Sequence, residues 1–187
     1  MAIKRVIVSV IVALALTAPA LAQDNAALTK THIRLVKKYD DVAHISPQDY
    51  AALPTGSAAQ TAVLFDIRGE QEFSVSHMPG AIHIDPKIKP ADFIAQYGER
   101  LRGKTVVLYC SVGARSSKLA NRVQDDLRAL GSGPVYNLEG GIFKWHNQGR
   151  ALEINGAPTR YIHPYNRRWG RMVNDQSAAQ MRPQAEP

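Results

Sequence analysis

Thr105-Val106-Val107-Leu108-Tyr109-Cys110-Ser111-Val112-Gly113-Ala114-Arg115-Ser116-Ser117 decides the fold of this 187-residue chain. Its first five residues are apolar, aromatic or β-branched without alternation, the pattern of a strand buried on both faces in a parallel sheet. Small residues follow, and then Leu119, Val123, Leu127 and Leu130 recur at helical spacing until Gly131 closes the helix. Cys110 therefore stands at the carboxyl end of a strand and faces a helix start, where open α/β sheets bind ligands. Backbone N–H groups in such a loop converge on an anion, and those surroundings keep a cysteine as thiolate. Arg115 adds a planar, permanent cation. On these grounds Cys110 is a candidate nucleophile; the competing assignment is an inert cysteine that packs as a small hydrophobe.

Outward from this segment the same grammar repeats. Val63-Leu64-Phe65-Asp66-Ile67 reads as a second strand buried on both faces, and Ala81–Ile84 and Val135–Asn137 are shorter candidates. Ser46-Pro47-Gln48-Asp49 carries a Ser cap, a proline at the first helical position and an acid that suits the positive helix end. Strands alternating with helices predict an α/β domain built on an open parallel sheet with helices on both faces, over residues 41–152.

The termini read differently. Lys4 and Arg5 precede an apolar run, Val6–Ala18, and then Ala20-Leu21-Ala22, the layout of a secretory signal peptide over residues 1–22 cut before Gln23. An anchor helix is the alternative, but the run falls short of the ~20 residues a bilayer needs, and Pro19 interrupts its end. This reading implies a periplasmic or secreted protein. Removing Lys4 and Arg5 lowers the net charge from +7 to +5, with 21 basic against 16 acidic residues. Residues 23–40 form a polar lead-in that reads as loose over Gln23–Thr31. Residues 153–187 form a basic, aromatic C-terminal extension whose last dozen residues read as disordered. Hydrophobic residues at 45% and charged ones at 21% exclude a wholly disordered or collagen-like chain. One cysteine excludes an intramolecular disulfide and a multi-cysteine zinc site.

Several separated motifs resemble the single-domain rhodanese sulfurtransferases. Asp66-Ile67-Arg68 with Glu70 and Glu72-Phe73 is similar to the family's second-strand signature, and His77-Met78-Pro79-Gly80-Ala81 to its histidine turn. Leu138-Glu139-Gly140-Gly141 with Trp145 resembles the segment after its last strand, and Cys110–Arg115 occupies the place of its six-residue active-site loop. Ser76 departs from the glycine that usually precedes the histidine, which puts that turn's backbone geometry in question. The resemblance implies a rhodanese-like sheet and a Cys110 persulfide intermediate, with Ser111, Val112, Gly113, Ala114 and Arg115 holding a small anionic sulfur donor. Cyanide or a thiol would accept the sulfur, and no metal or organic cofactor is required. Related phosphatases and arsenate reductases use a loop one residue longer, shaped for a tetrahedral oxyanion. The Cys110 loop also lacks the Cys-Gly-x-Gly-Val-Thr pattern of mercaptopyruvate enzymes, which favours thiosulfate-like donors. A rhodanese-like binding or sulfur-carrier module without turnover is the alternative function.

Other polar residues have structural readings. Asp66 and Arg68 stand at a strand end where they could touch substrate, but a structural role is the first expectation, with Arg68 paired to Glu72 or Glu70, since a buried partnerless arginine is costly. His77 and His83 have no second ligand at metal-binding spacing, and the resemblance implies that His77 is a turn residue. Trp145 is expected to pack a helix onto the sheet. Residues 160–171 interleave arginines with aromatics: packing onto the domain is the first expectation, a protein partner or membrane surface the second. Nucleic acid is excluded as a partner on the ground that an exported protein seldom meets it.

Overall fold

A computed structural model describes residues 25–53 and 62–183 of the chain. The expected signal peptide lies outside the described residues.

Five short strands form one parallel sheet: β1 (Ala43–Ile45), β2 (Val63–Asp66), β3 (Ile82–His83), β4 (Val106–Tyr109) and β5 (Val135–Leu138). Their order across the sheet is β1-β5-β4-β2-β3. From β2 the chain moves outward to β3, whereas from β4 it moves the other way to β5. The crevice outside the carboxyl ends of β2 and β4 is therefore the topological switch point, the place where open α/β sheets bind ligands.

The continuous apolar runs have their physical cause in two covered faces. Val106 and Leu108 enter one buried cluster with Phe93, Leu119, Val123 and Leu127. Val107 and Tyr109, pointing the other way, enter a second cluster with Ile142, Phe143 and Trp145. The helices supplying these residues are α4 (Pro90–Tyr97) and α5 (Ala114–Ala129) on one side and α6 (Gly141–Asn147) on the other. Ahead of them in the chain come α1 (Ala26–Lys38), α2 (Pro47–Ala51) and α3 (Glu70–Val75). Ser46 caps α2 as expected, its hydroxyl accepting the Asp49 N–H at 3.0 Å.

Two terminal expectations are corrected. The lead-in is not loose, because Asn25 accepts the N–H groups of Ala27 and Leu28 and starts α1, and Leu28 and Leu35 are buried. Two leucines seven apart seat the helix, whose remaining residues are largely polar or exposed. The extension is ordered well into the stretch expected to be disordered. A hairpin of β6 (Leu152–Ile154) and β7 (Ala157–Thr159) turns at Asn155-Gly156, both at positive φ. Beyond it, Ile162, Val173 and Ala178 are buried in the same cluster as Trp145. The segment 160–171 thus packs onto the domain, and residues 184–187 lie outside the described residues.

Gly141 shows how closely β5's following turn approaches the Cys110 loop. At φ +57°, a Cβ there would lie 2.2 Å from the Cys110 carbonyl oxygen. That carbonyl accepts the Ile142 N–H at 2.9 Å, and the Ser111 carbonyl accepts Phe143 N–H at 3.1 Å. Gly156 has a similar φ, +77°, but open space around it. Gly141→Ala is expected to cost at least about 2 kcal/mol in urea unfolding, and Gly156→Ala about 1 kcal/mol. Equal costs would show that backbone conformation alone, and not close approach, requires Gly141.

Candidate active site

The site is assembled at the switch point from the segments that follow β2 and β4. Cys110 is 1% exposed, and α5 begins four residues later behind Gly113, which sits at φ +95°. A Cβ on Gly113 would stand 3.0 Å from the Asn137 side-chain amide on β5, so the loop's tight curl is pressed against the neighbouring strand. Burial raises the Cys110 thiol pKa, but the Arg115 charge and the backbone N–H groups of Ser116 and Val112 outweigh it, and the net direction is downward. The buried Ser116 hydroxyl, in the first turn of α5, adds to that downward shift by hydrogen bonding to Cys110.

Arg115 does not reach outward. Its Nη1 and Nη2 donate to the two carboxylate oxygens of Glu72, each at 2.8 Å, and Nη2 also donates to the Ser111 hydroxyl oxygen at 2.9 Å. Ser111 in turn donates to Glu72 Oε1 at 2.7 Å, and the Gly69 N–H donates to Oε2 at 2.9 Å. Burial would raise the Glu72 pKa, but the Arg115, Gly69 and Ser111 donors bring it down to about 2. One carboxylate from α3 thus closes the loop that leads from β4 into α5.

The expected pairing of Arg68 with Glu72 or Glu70 is corrected. Arg68 is wholly buried, and its Nε and Nη2 donate to Asp66 at 3.0 and 2.7 Å. In an extended strand end, residues two apart point the same way, so Asp66 is the nearer carboxylate. Arg68 Nη2 also donates to the Ser76 carbonyl at 2.6 Å. Ser76 itself is extended, at φ −174°, so its Cβ introduces no strain where the family has glycine. His77 stacks on Phe73 at 3.9 Å between centroids and exchanges backbone hydrogen bonds with Glu153, which ties the histidine turn to the β6 hairpin. Among the described residues, no group of three or more His, Cys, Asp or Glu could hold a metal ion.

Ser111, Val112, Ala114 and Arg115 border a cavity of about 150 Å³ at Cys110, and two further residues complete its wall: Tyr165 and Trp169. Both come from the extension, Trp169 on the short helix α7 (Arg167–Gly170) and Tyr165 just before it. The Tyr165 ring lies 4.9 Å from the Arg115 guanidinium. Behind them His163 is buried, its pKa lowered by desolvation against the pull of Glu72, so the imidazole is neutral beside two guanidinium groups. Sequence reasoning missed these three residues. Their only signal was the mixture of aromatics and arginines in 160–171.

An open parallel α/β sheet with a cysteine-centred anion loop at its switch point defines the class of protein. The rhodanese-like domain model matches residues 46–148, and the chain belongs to that family. Membership brings sulfur- and redox-related chemistry in general terms. The chain is 32% identical over 106 residues to tRNA uridine(34) hydroxylases of Brucella ovis and Brucella suis, an alignment covering 54% of this chain. It spans about a third, 32%, of those relatives' length. Among solved structures, thiosulfate sulfurtransferase from Pseudomonas aeruginosa superposes on 82% of this chain and 27% of its own, at 20% identity and TM-score 0.50. That likeness concerns the fold.

The hydroxylases overturn two expectations. Their names specify a tRNA nucleotide, so nucleic acid is no longer excluded as a partner for a chain this similar. The exclusion had rested on export, and the periplasmic or secreted location is corrected with it, because tRNA belongs to the cell interior.

Glu72→Gln tests the clamp. A carboxylate lowered from 4.5 to about 2 stabilises the fold fully above pH 4.5 and loses that contribution as pH falls through 2. Urea unfolding at pH 7 is expected to show a loss of about 3 kcal/mol in the variant. The gap to the parent should close between pH 4.5 and 2. A pH-independent gap would show that the charge of Glu72 is not what matters.

Proposed function

We propose that the protein is a sulfurtransferase that carries a sulfane sulfur on Cys110. The observation that carries this reading is a buried cysteine whose thiol pKa is lowered by Arg115 and by the N–H groups of Val112 and Ser116, at the floor of a small cavity. In the first step the Cys110 thiolate attacks the outer sulfur of thiosulfate. The sulfur–sulfur bond of the donor breaks, its electron pair leaves with sulfite, and Cys110 holds a persulfide. In the second step cyanide or a thiolate attacks the terminal sulfur, and the Cys110 thiolate is regenerated. One difficult transfer is thereby divided into two easier ones, with ping-pong kinetics.

Each group has a role in this scheme. The loop N–H groups stabilise the terminal sulfur's negative charge, as preorganised donors do for any developing anion. Ser116, whose hydroxyl and N–H both act on Cys110, is placed to stabilise the negative charge there. Arg115 supplies fixed positive potential while Glu72 keeps it and Ser111 in place. Asp66 and Arg68 hold the crevice from the β2 side, and His77 secures the turn beside it.

Mass spectrometry of the protein after thiosulfate treatment tests the reading. The expected result is a gain of one sulfur that cyanide removes and that Cys110→Ser never acquires. No adduct with thiosulfate or other sulfane donors would contradict it.

The likeness to tRNA uridine(34) hydroxylases supports a second reading, in which the domain acts on tRNA. Lys87, Lys118 and Arg122 line a cavity of about 260 Å³ that Arg115 also borders, a cationic surface suited to phosphates. Fluorescence anisotropy with bulk tRNA is then expected to show binding that weakens roughly 40-fold between about 50 and 200 mM salt if three phosphates are neutralised. Absence of binding at the lower salt would remove this reading.

A further inference from the structure

We infer that Tyr165 and Trp169 determine which acceptor reaches Cys110, admitting small thiophiles and holding back thiols carried on folded proteins. The inference rests on the sulfurtransferase reading and adds the acceptor class. Both residues lie beyond the family match, which ends at residue 148, yet both wall the cavity over the cysteine. The loop supplies one side of that cavity and the extension the other.

The backbone shows that Tyr165 is held in place by its surroundings. It lies at φ +64°, in the left-handed region that aromatic residues rarely adopt. Its N–H donates to His163 Nδ1 at 2.9 Å, and the next N–H, of Asn166, donates to the Pro164 carbonyl at 2.8 Å. Asn166 then caps α7 by accepting the N–H groups of Arg168 and Trp169, each at 3.0 Å. A Cβ on Gly170 would come within 2.8 Å of the Pro164 side chain, so the turn is closed without room to spare. Burial of the Tyr165 ring does not explain this construction, because the residue remains 45% exposed. What the turn achieves is to lay the ring against the Arg115 guanidinium.

The consequence is steric and electrostatic. Arg115 has Glu72 along its edge and Tyr165 on its face, so a ligand enters between the aromatic wall and the loop. The space over Cys110 is small, about 150 Å³. Cyanide, sulfite or the thiol arm of a small molecule fits such a space. A cysteine on the convex surface of a folded protein meets Tyr165 and Trp169 first.

The experiment uses the full chain loaded with sulfur from thiosulfate, with excess donor removed. Rates of sulfur transfer to cyanide and to reduced thioredoxin, a folded protein thiol, are compared for the parent, Tyr165→Gly, Tyr165→Phe, and Tyr165→Gly with Trp169→Ala. The thioredoxin-to-cyanide ratio is expected to rise at least tenfold in the double variant, less in Tyr165→Gly, and to stay at the parent value in Tyr165→Phe. If the double variant does not fold, the two Tyr165 variants carry the comparison. An unchanged or lower ratio overturns the inference. A parent protein that takes up no sulfur defeats the sulfurtransferase reading instead. In that case alkylation of the free Cys110 by iodoacetamide and by a polyethylene glycol maleimide tests the wall alone. The bulky-to-small ratio must again rise when Tyr165 is removed, and an unchanged ratio overturns the inference.

Discussion

The carboxylate of Glu72 joins the segment that follows β2 to the loop that follows β4. It comes from α3, after β2, and accepts hydrogen bonds from Arg115 and Ser111, after β4. β2 and β4 are neighbours whose connections diverge, and beyond the Ile67 N–H bond to the Tyr109 carbonyl the Glu72 carboxylate carries the link out to the Cys110 loop. A buried carboxylate without partners would be neutral or would destabilise the fold. Four donors keep this one charged, and its charge in turn keeps Arg115 folded back over the loop. The cysteine's electrostatic surroundings therefore depend on a residue 38 positions before it in sequence.

Beneath this clamp the pair Asp66–Arg68 performs a similar task at greater depth. Both residues are fully buried, and Arg68 spends its remaining Nη2 bond on the Ser76 carbonyl, which sets the turn into His77. His83 continues the arrangement, its Nε2 donating to the Arg68 carbonyl at 2.7 Å. The β2 side of the crevice is thus held by the Asp66–Arg68 ion pair and its hydrogen bonds, and the β4 side presents the Val112 and Ser116 N–H groups to Cys110. Anionic chemistry suits the second, and rigidity comes from the first.

How much of this was legible in the sequence follows from the range of each interaction. Val106–Tyr109, the Cys110 loop and the Leu119–Val123–Leu127 stripe are local patterns, and their strand, turn and helix stand where periodicity puts them. Glu72 was visible as an acid near a helix start, but its partner lies 43 residues away, and no spacing rule links the two. Arg68 had three carboxylates within four residues of it, and only the extended backbone at the strand end selects Asp66. The lead-in misled because a helix seated by two leucines looks polar along most of its length. Tyr165 was hidden for a different reason. Its position follows from a turn built by His163, Asn166 and Gly170, and such irregular backbone leaves no periodic trace.

This fold lowers the thiol pKa of Cys110 despite burying it, and the proposed chemistry rests on that. Cys110 is the single cysteine in the chain, so the pH dependence of its alkylation by iodoacetamide reports its ionisation without interference. A midpoint below the ordinary thiol value of 9.0 is expected, because Arg115 and the N–H groups of Ser116 and Val112 together outweigh burial. A midpoint at or above 9.0 would mean that burial prevails, and that Cys110 is an inert core cysteine.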